Sequence, residues 1–153
     1  NKLPAGIHFE NKTGDFKNDY RFMTADIVNE KLKTFKFKGT KWGVEVEPSV
    51  VSIQRLKYQA QANSEEPTFT AKVEKGNLTI YFGDQSRHAG NFIFAAGVTG
   101  NLTKTWSWPV AAVLNILALS GDKIFRISDE GASQITVTTG LSTWTYTIPA
   151  QTK

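Results

Sequence analysis

From Trp42 onward the apolar positions change period in a readable order. Trp42-Gly43-Val44-Glu45-Val46 alternates like a strand, and after Pro48-Ser49 the spacing of Val50, Ile53, Leu56 and Ala60 shifts to about 3.6. A strand running into a helix is predicted. The breaker segment Asn63-Ser64-Glu65-Glu66-Pro67 ends it, and alternation returns in Phe69, Ala71 and Val73 and again in Leu78, Ile80 and Phe82. Glu74-Lys75-Gly76-Asn77 between those runs reads as a hairpin turn. A third run, Phe92-Ile93-Phe94-Ala95-Ala96, follows the polar loop Gly83 to Gly90, so the stretch reads β-α-β-β-β.

The same order then returns. Leu102 to Trp108 is strand-like, Pro109 fits a helix's first turn, and Val110 to Leu119 is apolar almost all round before Ser120-Gly121 stops it. Three strands follow, Lys123 to Ser128, Ser133 to Thr138 and Ser142 to Ile148, joined by the turns Asp129-Glu130-Gly131 and Thr139-Gly140. Two β-α-β-β-β units, 42–98 and 102–150, form an internal duplication of architecture without similar letters. The fold class is α+β, with two helices side by side on antiparallel sheets. On the first helix Val50, Ile53, Leu56 and Ala60 face the core, and Arg55, Tyr58, Gln59 and Ala62 project away. The second helix carries no charge, so its outer face must be small, weakly polar or covered.

Residues 1–41 do not complete a third unit. They hold strand-like pieces at Gly6 to Glu10 and Thr34 to Lys38 and a possible short helix around Ala25 to Lys33. Lys31, Lys33, Lys36, Lys38 and Lys41 interleave with Leu32, Phe35 and Phe37, as on a half-buried edge strand whose lysines prevent aggregation or, alternatively, meet phosphates. The expectation is an extension or remnant of a preceding domain at 1–41 and one domain at 42–153. The missing initiating Met suggests a processed or partial chain, and Asn1 to Gly6 have no signal-peptide character.

Composition narrows the function. With 40% hydrophobic and 12% aromatic residues in 153, the chain can bury a core. The net charge of +4 lies wholly in residues 1–62, which hold eleven Lys and Arg against seven Asp and Glu, whereas 63–153 balance seven against seven. Zero cysteine excludes a thiol nucleophile and a cysteine zinc site. His8 and His88 have no metal-ligand spacing, Glu65-Glu66 and Asp129-Glu130 are adjacent pairs that diverge at turns, and no phosphate-cradling loop or nucleophile elbow is present. No enzymatic activity, no metal, no cofactor and no membrane span are expected. The sequons at Asn11, Asn77 and Asn101 read as turn chemistry.

The element order, its lengths and its turns over Trp42 to Val98 and Leu102 to Ala150, including the hairpin Thr70 to Ile80 and the closing segments Gln134 to Val137 and Trp144 to Ala150, resemble the DNA sliding clamps. The phage-type branch is nearest, and the part resembled is a C-terminal clamp domain. The resemblance implies a processivity-clamp fold in a homo-oligomeric ring that encircles duplex DNA, helices inside, and tethers a DNA polymerase with the help of a clamp loader in the cytoplasm, that of a bacterial host if phage-encoded. It implies phosphate contacts at Arg55, Lys57 and Tyr58, and client docking at Ile148, Pro149 and Ala150. Such a ring needs dispersed cations that touch phosphates without reading bases.

The competing class is a non-catalytic carbohydrate-binding or phage structural module. Trp106, Trp108 and Trp144, in or beside strands, would then form an aromatic platform for sugar rings. That reading needs no helix over Val110 to Leu119.

Overall fold

The structure, a computed structural model, describes residues 5–15, 17–22, 37–83 and 90–151. The expected helix at Ala25 to Lys33, most of the piece Thr34 to Lys38, Lys31, Lys33 and Lys36, and the loop carrying Arg87 and His88 lie outside the described residues. The chain divides into two compact units, Asn1–Lys38 and Gly39–Lys153.

In the first unit, β1 (Gly6–Glu10) and β2 (Lys17–Arg21) form an antiparallel hairpin. Its register pairs Ile7 with Tyr20 and His8 with Asp19, which sorts apolar and charged side chains onto opposite faces. His8 Nδ1 stands 2.6 Å from Asp19 and Nε2 3.3 Å from Glu10. The hydrogen bond to Asp19, then that to Glu10, raises the His8 pKa above its ordinary value.

The second unit contains β3 (Val44–Val46), α1 (Val50–Ala62), β4 (Thr68–Glu74), β5 (Asn77–Phe82), β6 (Gly90–Ala96), β7 (Ser107–Pro109), α2 (Val110–Leu117), β8 (Asp122–Ile127), β9 (Ala132–Thr138) and β10 (Thr143–Pro149). These are two β-α-β-β-β halves in succession. Their first strands are exchanged: the sheet orders are β6-β5-β4-β7 and β10-β9-β8-β3, every pairing antiparallel. Interchanging the halves maps one order onto the other, which is a topological twofold. Each first strand also makes one bridge to the residues that directly follow its own half, Val44 to Gly100 and Ser107 to Gln151.

The close approach at the first bridge needs glycine. A Cβ on Gly100, whose φ is +108°, would stand 2.0 Å from the Gly43 carbonyl oxygen. At the β4–β5 turn, Lys75 (φ 50°) and Gly76 (φ 75°) both have positive φ, as a tight two-residue hairpin requires.

One hydrophobic core takes side chains from both sheets and both helices, among them Leu56, Phe69, Phe94, Trp108, Val113 and Phe125. Phe94 of β6 meets Phe125 of β8 edge-on, ring centroids 6.1 Å apart, which joins the halves. The helices also touch each other.

Four expectations need correction. Val50 is 71% exposed, because the core lies under the turn centred on Leu56 and the first turn of α1 overhangs it. Leu102 to Trp106 is not a strand; the Asp129 carboxylate takes the N–H groups of Thr103 (2.9 Å) and Lys104 (3.0 Å) and holds this stretch as a loop, so β7 is only Ser107–Pro109. Pro109 is the N-cap of α2, one residue before the first turn. The helix ends at Leu117 rather than Leu119, its last turn tightened by Leu119 N–H donating to the Ile116 carbonyl. No described helix is long and apolar enough to cross a membrane.

Candidate nucleic-acid interface

Helix α1 begins where Pro48 has interrupted the strand and Ser49 can cap: the Ser49 hydroxyl accepts the Ser52 N–H at 3.0 Å. It ends at Asn63, whose backbone N–H and side-chain amide both donate to the Gln59 carbonyl, at 3.0 and 2.8 Å. Leu56 is its one wholly buried residue, with Ile53 and Ala60 packed beside it. The opposite stripe, Val51, Gln54, Arg55 and Tyr58, has the i, i+3, i+4, i+7 spacing of a single helix face.

Strand β6 supplies the other wall. A bulge in its pairing with β5 sets Phe92 opposite Ile80 and Ala95 opposite Leu78, with Phe94 inserted between register positions. Phe92, Phe94 and Ala95 therefore all pack against the core, and half-buried Phe92 stands next to α1. Val51, Gln54, Arg55, Tyr58, Gln59 and Phe92 line an open groove of about 540 Å³. Among the described residues no carboxylate lines it and Arg55 makes no ion pair.

Arg55 and Tyr58 are thus brought together. Lys57 is exposed but is not; at about 100° per residue it points about 200° round the helix from Arg55. The second helix adds no cation: its outward positions are Ala111 and Asn115, and Val110, Val113 and Leu117 are buried. Phe92, Gln54 and Val51 were not singled out from the sequence. The signal that could have found Phe92 is its alternation with Phe94, which marks both as facing the helix layer.

At the chain end, Ile148 is buried in the core, so its side chain cannot meet a client; Pro149 is exposed and Ala150 half-buried. Their backbone is tied down, Ala150 N–H to the Gly131 carbonyl at 2.9 Å and Gln151 N–H to the Ser107 carbonyl at 2.8 Å. A nearby cleft of about 420 Å³ is lined instead by Lys41, Trp42, Gly43, Gly100, Asn101, Asp129 and Glu130. Burial pushes the Asp129 carboxyl up, but the N–H of Lys104 and the hydroxyl and N–H of Thr103 outweigh it and hold the pKa below its usual value. Glu130 accepts from Thr40. Both carboxylates serve loop anchoring.

The three tryptophans do not assemble into a platform. Trp108 is 1% exposed, Trp106 is half-buried with its indole N–H on the Asp129 carbonyl at 2.8 Å, and only Trp144 is largely exposed. The sequon asparagines serve local bonds: Asn11 to Thr13, Asn77 from Gly97 N–H and Asn101 from Leu102 N–H. Among the described residues no group of three or more His, Cys, Asp and Glu could hold a metal ion. Compared with known proteins, the sequence matches no protein-family model and no curated protein.

Proposed function

We propose that the second unit is a sliding-clamp-like processivity domain that meets duplex DNA without sequence preference on its helix side and tethers a polymerase. The observation that carries this reading is the doubled β-α-β-β-β order, with exchanged first strands, interchangeable sheet orders and two touching helices. Arg55 and Lys57 are the exposed cations of α1, suited to loose phosphate contact. The formation of α2 over Val110–Leu117 and the burial of Trp108 speak against the sugar-binding platform.

Ring closure requires further copies of the chain or further domains. The outer edges β6 and β10, seven residues each, are long enough to pair with such a neighbour, whereas β3 and β7 have three. Client docking at the chain end would use Pro149 and Ala150, with Ile148 shaping their strand from inside. Polymerase tethering belongs to the cytoplasm, in a bacterial host if the chain is phage-encoded.

The test is retention on nicked circular duplex. A clamp stays bound through a salt wash and is lost when the circle is linearised. Retention that ignores linearisation, or light scattering that finds a strict monomer at high concentration, defeats the reading for this chain.

A further inference from the structure

We propose that the groove between α1 and β6 takes an unpaired nucleotide base, stacked on Tyr58 and flanked by Phe92, with the adjoining phosphate on Arg55. The inference rests on the reading of this helix side as the one that meets DNA, and it adds a preference for single strands.

A duplex keeps its bases stacked and offers a sliding surface only phosphates, so a surface built for duplex alone gains from cations and nothing from exposed rings. The α1 face is built otherwise. Its centre is Tyr58, 71% exposed, with Val51 and Phe92 beside it, and α2 adds no cation. An exposed ring beside an arginine is the combination that holds single-stranded nucleic acid, whose every base has a π-face and whose backbone is anionic.

The groove's chemistry favours this occupant further. Among the described residues Arg55 has no carboxylate partner and no carboxylate lines the walls, so none of them competes with an anion for the guanidinium. Gln54 presents an amide that both donates and accepts, and Gln59, whose oxygen accepts from Asn63 at 3.4 Å, adds amide donors, so the walls suit more than one base edge. At about 540 Å³ the space falls within the range of about 300–1,000 Å³ typical of small-molecule sites. Phe92 reaches the helix side by ordinary strand alternation with Phe94, and the bulge that follows turns Ala95 to the same side, so this stretch of β6 gives α1 a continuous apolar wall.

The experiment is fluorescence anisotropy of the full chain at low salt with three labelled probes of equal length: a single strand, a blunt duplex and an abasic single strand. The single strand is expected to bind tightest and the abasic strand to lose that advantage. Tyr58→Ala should weaken single-strand binding by about 10- to 100-fold and leave duplex binding within about twofold, with Tyr58→Phe close to the parent. Arg55→Ala should weaken both strand types and flatten the salt dependence. Tyr58 is exposed, and unchanged tryptophan fluorescence will certify folding of each variant. Equal binding of the abasic strand, an inert Tyr58→Ala, or competition by an acidic peptide as effective as the oligonucleotide would each overturn the proposal. The outcome is separable from that of the nicked circle: loss of topological retention with a Tyr58-dependent single-strand preference removes the clamp and keeps the stacking site, and the reverse pattern does the opposite.

Discussion

Leu56→Ala is the sharpest test of how α1 is held. Leu56 is 0% exposed and is the one wholly buried side chain of that helix, so the groove wall depends on it. Truncation removes three buried carbons, worth about 2.4 kcal/mol at about 0.8 kcal/mol each. A cavity term is added at about 24 cal/mol per Å³ left unfilled. Because the outer face of α1 is free, the helix can settle inward and keep that cavity small, so a total of about 3 kcal/mol is expected, near the low end of the about 2.7–5 kcal/mol seen for such changes. For a unit of this size that is about 10 °C in Tm. All four tryptophans, Trp42, Trp106, Trp108 and Trp144, lie in the second unit, so urea unfolding followed by tryptophan fluorescence reports that unit alone. Coincidence with far-ultraviolet circular dichroism in the transition region checks two-state behaviour. Val50→Ala is the control: a leucine-like loss there would restore the expectation from spacing, whereas its exposure predicts a change within about 0.5 kcal/mol. A Leu56→Ala loss under about 1 kcal/mol, or equal losses at both positions, refutes this placement of the helix.

Two further perturbations probe other features. Gly100→Ala should cost about 2–4 kcal/mol in urea unfolding, since φ is +108° and the new Cβ would meet the Gly43 oxygen at 2.0 Å; Gly97→Ala, with positive φ but nothing within 4 Å, should cost about 1–2 kcal/mol, and equal costs would argue against the bridge. Tyr81 donates to Glu74 at 2.6 Å, and that hydrogen bond, followed by burial and the carboxylate's charge, pushes its pKa up to about 12. The folded state therefore binds the phenolic proton more tightly than the unfolded one, so this contribution is whole below about pH 10 and is lost as pH rises through about 12. Spectrophotometric titration should show one late phenolate that moves earlier in Glu74→Gln; no change in that variant would discount the interaction.

Much of the second unit was legible because its local signals agree. Ser49 as cap, the Lys75-Gly76 turn, and the alternation of Phe69 with Ala71 and of Leu78, Ile80 and Phe82 each reflect interactions within a few residues of the chain. The loop at Leu102 to Trp106 was not legible, since its alternation is overruled by the Asp129 carboxylate more than twenty positions away. Of the candidate residues, Arg55 and Tyr58 followed from helical spacing, and Phe92 did not, because it arrives from a strand well along the chain.

By itself the sequence determined the order of elements, the duplicated pattern and the side of α1 that bears Arg55 and Tyr58, since periodicity is a property of neighbouring residues. Only the tertiary structure decided that β3 pairs with β8 and β7 with β4, that Val50 overhangs the core, and that Phe92 closes the groove. Alternation tells which face of a strand is buried, but backbone N–H and C=O groups are alike in every strand. Which edge a strand joins is settled by how whole sheets and helices fill a shared core.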